Sequence, residues 1–300
     1  MEQTRARLVL TSASVYSATA PFATAIIIDG DQVAWIGDDG GLTQQLLDSD
    51  RIIDGTGLFA APAFFDAHAI GSVEQVTLPR GVAAAQVFPG RAPAADHAAR
   101  TSGSYLSAAS SGTPGSSLVT IGIDGEVADD QELTTDPHRI DAEVDTEDSA
   151  LKQLQADRTS VVLPATAVAT GALARLARAG IPTAIGSFGA TTSPWEWIRQ
   201  AVFGAAEGVS ARAAFGACTR SGWRLLGRPD RGQLIVGARA SIALWRAPEL
   251  AVQTADERVA AWSTDPRSGT PPLPDLTPGR ELPTFAGLIL GPQTSLPAIR

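Results

Sequence analysis

The first 60 residues alternate short apolar runs with turn-forming residues, and residues 7–10, 24–29, 32–36 and 51–53 read as β-prone segments. Asp29-Gly30-Asp31 separates the second run from the third and marks a hairpin, because Gly supplies a positive φ at the turn. β-prone runs return at 233–236 and 240–245, bounded by Gly232 and Gly237, as expected if both ends of the chain meet in one small sheet structure. Between them the pattern changes. Strand-like runs at 82–88, 117–123, 160–164 and 182–185 alternate with helical stretches, which is α/β patterning. Ser193-Pro194-Trp195-Glu196 has the order of a helix start, with Ser as cap, Pro in the first turn and Glu three residues on. A helix is predicted over 167–179, stopped by Gly180, and another from Ser210 to Gly227.

Composition narrows the setting. The chain has 300 residues, 44% of them hydrophobic and 18% charged, enough to bury a sizeable core. A formal charge of −9 argues against nucleic acid as a partner, since phosphate neutralisation needs clustered Lys and Arg. No apolar run approaches the roughly 18 residues of a membrane span, and the start of the chain lacks a signal-peptide core, so a cytoplasmic protein without a membrane partner is expected. Cys218 is the only cysteine, which excludes an intrachain disulfide or a thiolate metal cluster and predicts a small buried hydrophobe.

The candidate chemistry centres on Phe64-Phe65-Asp66-Ala67-His68-Ala69-Ile70. Residues at alternate positions of a strand face the same side, so Asp66, His68 and Ile70 are predicted to share one face. The stretch resembles the Asp-x-His-x-His metal motif of the amidohydrolase superfamily, with isoleucine at the second histidine. The resemblance, closest to the imidazolonepropionase-like and cyclic-amide hydrolase branch, extends over nearly the whole chain. Residues 25–37 look like that family's N-terminal hairpin, 53–62 like its entry into the barrel, and 227–240 like the return to the sandwich. It implies an α/β fold with a (β/α) barrel at 62–226 and a composite β-sandwich from 1–61 and 227–300. A complete eight-unit barrel needs roughly 200 residues or more. Residues 62–226 number only about 165, so the barrel is expected to be shortened or incomplete, and an open parallel edge would favour a homodimer or a partner protein.

Against the family pattern, Ile70 and Phe188 stand at positions where a metal ligand is expected, the latter in Gly186-Ser187-Phe188-Gly189. The family's aspartate there binds metal and takes the proton of the attacking water, and neither a branched alkyl group nor a phenyl ring has a lone pair to offer. His68 is thus the single matched metal ligand. Its candidate partners are Asp66, Asp124, His97 and His138, with local backbone bonding as the ordinary role for Asp66, a helix surface for His97 and an acidic loop for His138. Lys152 reads as a solvated lysine. The stretch 121–150 holds eleven acidic residues and one arginine and is expected to be a solvated loop. The prolines at 271, 272 and 274 either present a polyproline II segment to a partner or form a connector across the sandwich. Trp195 and Trp197 are expected in the core, with filling of the former substrate pocket as the other reading. The expectation is a noncatalytic amidohydrolase-like protein without a cofactor, acting as a small-ligand binder, scaffold or partner subunit. The alternative is an active hydrolase of cyclic amides or other non-peptide C–N bonds, using one divalent metal such as zinc, or no metal, around His68, Asp66 and Asp124.

Overall fold

The computed structural model describes residues 7–72, 78–88, 116–121, 127–133, 136, 138–251 and 270–295. His97 and Asp124 lie outside them, so their expected roles find no description. The chain divides into two units: residues 1–64, 123–125 and 228–300, and residues 65–122 and 126–227.

In the first unit the strands Gln32–Gly37, Ala25–Asp29, Leu8–Thr11 and Arg51–Asp54 lie side by side in that order. The first three pair antiparallel, and Arg51–Asp54 runs parallel to Leu8–Thr11. A second sheet is ordered Gln293–Ser295, Thr284–Leu290, Ser241–Arg246, Phe59–Pro62 and Ser14–Val15, so it joins segments from both ends of the chain. Alternation decides what each strand buries: Leu8, Leu10, Ile26 and Ile28 from one sheet share a core with Ala60, Ile242, Leu244 and Ile289 from the other. Residues 233–236 form no strand, which corrects the sequence expectation. Val236 is 61% exposed there, so this short apolar run lacks the burial that makes a strand worthwhile. Pro271 and Pro274 are buried, Pro272 is half-buried, and Leu273–Pro274 pairs with Leu250–Ala251, so this part of the segment packs as a connector.

The second unit is α/β with mixed sheets. One four-stranded sheet runs Val127–Leu133, Ser116–Ile121, Val82–Phe88, Phe64–Ile70. The pairings of Ser116–Ile121 with both Val82–Phe88 and Val127–Leu133 are antiparallel, where parallel βαβ pairing was expected. Only five residues separate Ile121 from Val127, too few for the crossover that a parallel pair requires. A three-stranded parallel sheet follows, Arg139–Asp141, Ser160–Pro164 and Thr183–Gly186, with the helix Asp148–Ala156 between its first two strands. Among the described residues these strands form no closed barrel. The acidic stretch predicted as a solvated loop instead supplies two strands, because Arg139 and Ile140 are buried and anchor it.

Helical segments are shorter than the sequence predicts. The stretch expected at 167–179 is a 3₁₀ turn, Ala165–Thr170, followed by the helix Ala172–Arg178. Gly171 between them has φ +79°, a left-handed conformation that no helix interior accepts. The stretch from Ser210 likewise divides into Ala211–Ala217 and Arg220–Leu225. Pro194–Phe203 starts as predicted, with the Ser193 hydroxyl accepting from the Trp195 amide at 3.3 Å. Trp195 is buried in a stack on Phe215, 5.6 Å between centroids, and Trp197 is buried too, so both belong to the core. Lys152 is exposed, as expected.

Candidate functional site

The strand Phe64–Ile70 divides its residues between two environments. Phe65, Ala67 and Ala69 enter hydrophobic clusters, while Asp66, His68 and Ile70 occupy the alternate positions. Gly186, at the end of the strand Thr183–Gly186, lets that backbone approach the His68 strand closely. A Cβ at Gly186 would stand 2.6 Å from the His68 amide nitrogen, well inside contact distance. The approach is sealed by the Phe188 amide donating to the His68 carbonyl at 2.9 Å.

Asp66 is fully buried and faces this junction. Its Oδ1 accepts from the Ser187 amide at 2.8 Å and from the His68 amide at 3.1 Å, so the expected role in local backbone bonding extends across the chain to Ser187. Its Oδ2 is buried without a hydrogen-bond partner among the described residues. Burial pushes the carboxyl above its ordinary range, and the Ser187 and His68 donors offset this only in part. Asp66 is therefore biased toward the neutral acid. Cys218 is buried, and burial together with the nearby Asp66 raises its thiol, so it is an inert apolar group as expected.

His68 is held on three sides. Its Nδ1 lies 2.7 Å from Asp141 Oδ2. One face of the ring stacks on Phe88 and the other on Phe188, each at 4.0 Å between centroids and within 8° of parallel. Phe188, the residue standing where the resemblance places an aspartate, is thus a wall of the histidine slot. It has φ +50°, unusual for a residue with a side chain and costing on the order of 1–2 kcal/mol. The His68 backbone bond and the ring stack, worth about 0.5–1.5 kcal/mol for such an aromatic pair, act against that cost.

Asp141 is in turn fixed by Arg139, two residues earlier on the same strand. The guanidinium donates to Oδ1 through Nε at 2.5 Å and to Oδ2 through Nη2 at 2.7 Å. Nη2 also donates to the Ala67 carbonyl at 2.6 Å, and Nη1 to Gln86 Oε1, whose amide continues to the Ser116 hydroxyl at 2.7 Å. The guanidinium carbon sits 5.6 Å from the centre of the Phe88 ring. Burial alone would raise the Asp141 carboxyl, but the His68 hydrogen bond and the Arg139 charge outweigh it and hold the group below its ordinary range. A carboxylate can only accept, so the 2.7 Å contact places a proton on His68 Nδ1.

Of the sequence candidates, the structure therefore brings Asp66 and His68 to one junction with Phe188, and Ile70 follows two positions along the same strand. His138 is exposed on the turn before Arg139, and its backbone, not its ring, makes its bonds, to Asp136 and Ser160. Asp141 and Arg139 were missed by sequence reasoning. The available signal was the one arginine among eleven acidic residues, two positions from an aspartate in a strand-like Arg-Ile-Asp run. Among the described residues no group of three or more His, Cys, Asp and Glu side chains is arranged to hold a metal ion. Nor is any helix of the described residues long and apolar enough to cross a membrane.

Residues 137–264 match the model of the amidohydrolase family. No curated protein matches the chain. Among solved structures, an enamidase of the amidohydrolase superfamily is similar over 96% of this chain and 95% of its own, with a TM-score of 0.58 and 11% identity. The atrazine chlorohydrolase TrzN of Arthrobacter aurescens TC1, a mutant complexed with zinc and atraton, is similar over 96% and 94%, with a TM-score of 0.53 and 14% identity. A prolidase complexed with N-methylphosphonate-L-proline is similar over 97% and 99%, with a TM-score of 0.52 and 13% identity. At these identities the neighbours speak to fold alone. The family model covers the strands that carry Arg139, Asp141 and Gly186, and the neighbours show that the chain has an amidohydrolase-type fold.

Proposed function

We propose that this chain is an amidohydrolase-fold protein that does not hydrolyse by a metal mechanism, its inherited centre having become a protein-only junction suited to binding a small molecule or serving as a scaffold. The observation that carries the reading is the position of His68, clasped at Nδ1 by Asp141 and on both faces by Phe88 and Phe188. A catalytic zinc takes three protein ligands and keeps one position for water. The donor set here does not fit that requirement. Ile70 and Phe188 have no donor atom, Asp66 gives one oxygen to two backbone amides, and Asp141 is already shared by a guanidinium and an imidazole. Arg139 supplies, inside the protein, the positive charge that a metal would bring to a carboxylate.

The test is elemental analysis after incubation with zinc, manganese or iron and desalting, with His68→Ala beside the parent. The expected result is no metal retained by either. About one equivalent in the parent, lost in the variant, would sink the reading. A second reading, a hydrolase working without metal around His68, draws on the orienting contact from Asp141. It requires turnover of a cyclic amide that disappears in His68→Ala. As a scaffold, the chain has a second copy of itself as its first partner to test, by light scattering at micromolar concentration.

A further inference from the structure

Among the described residues the first sheet ends at an edge with no second neighbour. Arg51–Asp54 is its last strand, paired on one side with Leu8–Thr11. The Arg51 amide donates to the Arg7 carbonyl at 2.9 Å and the Gly55 amide to the Thr11 carbonyl at 2.8 Å, so positions 51, 53 and 55 turn their backbone groups inward while 52 and 54 turn theirs to the open side. Across the sheet, Ile27, Val9 and Ile52 stand in one row. Ile27 and Val9 are buried with Leu42, on the face opposite the sandwich core, whereas Ile52 at the end of the row is 56% exposed. Of the six large hydrophobic side chains exposed among the described residues, three fall within 46–52: Leu46, Leu47 and Ile52. Their loop is held in place. Asp50 accepts from Arg7 Nε at 2.9 Å, from Arg7 Nη2 at 2.7 Å and from the Leu47 amide at 2.8 Å, and Nη2 also donates to the Gln45 carbonyl at 2.7 Å. By alternation Arg7 and Asp50 lie on the face of Val9 and Ile52, so the Leu46-Leu47 pair is fixed on that side of the strand.

We infer that this edge docks an extended, basic segment of a partner protein, added antiparallel as a further strand, with an aliphatic residue opposite Ile52 and a lysine or arginine opposite Asp54. The outward N–H and C=O of Ile52 and Asp54 supply the backbone bonds of strand addition. An aliphatic side chain opposite Ile52 continues the row that runs from Ile27 through Val9. Charge selects the rest. Asp48 and Asp54 stand exposed towards the two ends of the strand, on a chain of net charge −9. The cations nearby are engaged: Arg7 by Asp50, and Arg51 by the Thr294 hydroxyl at 2.9 Å. A second copy of the chain fits the edge less well, because antiparallel pairing centred on Ile52 sets Asp54 opposite the twin's residue 50, also an aspartate, and like charges directly opposite are destabilising. The loop clamped by Arg7 and Asp50 is already ordered, which lowers the entropy lost on docking. None of these residues belongs to the His68 network, so the inference goes beyond the metal-free reading and stands or falls apart from it.

The test is amide NMR on the full chain, labelled with ²H and ¹⁵N. The probe is a blocked heptapeptide with isoleucine at its centre, lysine two places to either side and threonine elsewhere. The expected result is a saturable shift of the Ile52 and Asp54 amide signals, with slower exchange of both amides with solvent. The same peptide with glutamate for lysine should bind at least about fivefold more weakly, the scale of one exposed ion pair. N-methylation of the central isoleucine, which removes the N–H that faces the Ile52 carbonyl, should abolish the shift. Asp54→Lys should reverse the preference, so that the glutamate peptide binds and the lysine peptide does not. Absence of a saturable shift at Ile52 and Asp54 with the lysine peptide, or equal binding of the two peptides, overturns the inference. So does a shift of those amides with protein concentration alone together with a dimer mass by light scattering, because a second copy then occupies the edge. The parent protein carries the peptide comparison by itself, and a poorly folding Asp54→Lys leaves it intact.

Discussion

Replacing Arg139 by methionine tests whether the charge network, and not the surrounding apolar packing alone, holds the site together. The guanidinium is 5% exposed and is bound to both oxygens of Asp141, to the Ala67 carbonyl and to Gln86. Methionine retains most of the apolar stem but removes every donor. Asp141 would then be a buried carboxylate facing only His68, and the Ala67 carbonyl and Gln86 oxygen would lose a donor, at about 1–3 kcal/mol for a group left unsatisfied. Removing one partner of a buried ion pair costs about 3–5 kcal/mol. Asp141 keeps its hydrogen bond to His68, so the expected loss stays within that range and does not reach the sum of the separate terms. Replacing both residues, Arg139→Met with Asp141→Leu, removes the stranded charge and should cost less than the two single changes added, by about 0.5–3 kcal/mol. The assay is urea unfolding, followed by fluorescence, to which Trp223 against Phe65 contributes at 4.5 Å, and by far-UV circular dichroism. Coincidence of the two transitions licenses the free-energy comparison. A loss below about 1 kcal/mol for Arg139→Met, or strict additivity in the double variant, would refute the argument.

Four further predictions use the same unfolding assay. Gly186→Ala places a Cβ 2.6 Å from the His68 amide nitrogen and 2.7 Å from its Cβ, and since backbone cannot yield, the variant should lose at least the roughly 1–3 kcal/mol of an overpacked site; an unchanged midpoint contradicts the close approach. Because the folded Asp141 carboxyl lies below its ordinary value, its stabilisation is present above the unfolded value of about 4 and drains away as pH falls from there through the folded value. Asp141→Asn should flatten that part of the acid limb. Asp66, raised by burial, has the opposite sign: its penalty develops as pH climbs from about 4, so the stability of Asp66→Asn relative to the parent should increase over that rise, and a constant difference would show that Asp66 is not displaced. Ser193→Ala, which removes the acceptor for the Trp195 amide, should cost about 1 kcal/mol, and a change within a few tenths would assign the helix start to proline alone.

Elements whose signals sit within a few residues of one another were legible from the chain. The hairpin at Asp29-Gly30-Asp31, the cap at Ser193, the alternation that sets Asp66 and His68 on one side of their strand, and the strand cores at 82–88 and 160–164 all follow from periodicity and turn chemistry. Local signals misled where long-range pairing won. Acidic composition around Arg139-Ile140-Asp141 predicts hydration, yet pairing of that strand with Ser160–Pro164 buries Arg139 and Ile140.

The sequence by itself determined that neither Ile70 nor Phe188 can serve as a metal ligand, since neither side chain has a lone pair to donate. What those residues do instead was decided only by tertiary structure. Asp141 reaches His68 across 73 positions of sequence, Arg139 reaches Gln86 across 53, and Ser187 reaches Asp66 across 121. Periodicity and capping express forces along a few residues of backbone, whereas an ion pair or a ring stack depends on which strands lie beside each other. That adjacency is fixed when the whole core is buried, and it places a phenyl ring, an arginine and a carboxylate around one imidazole.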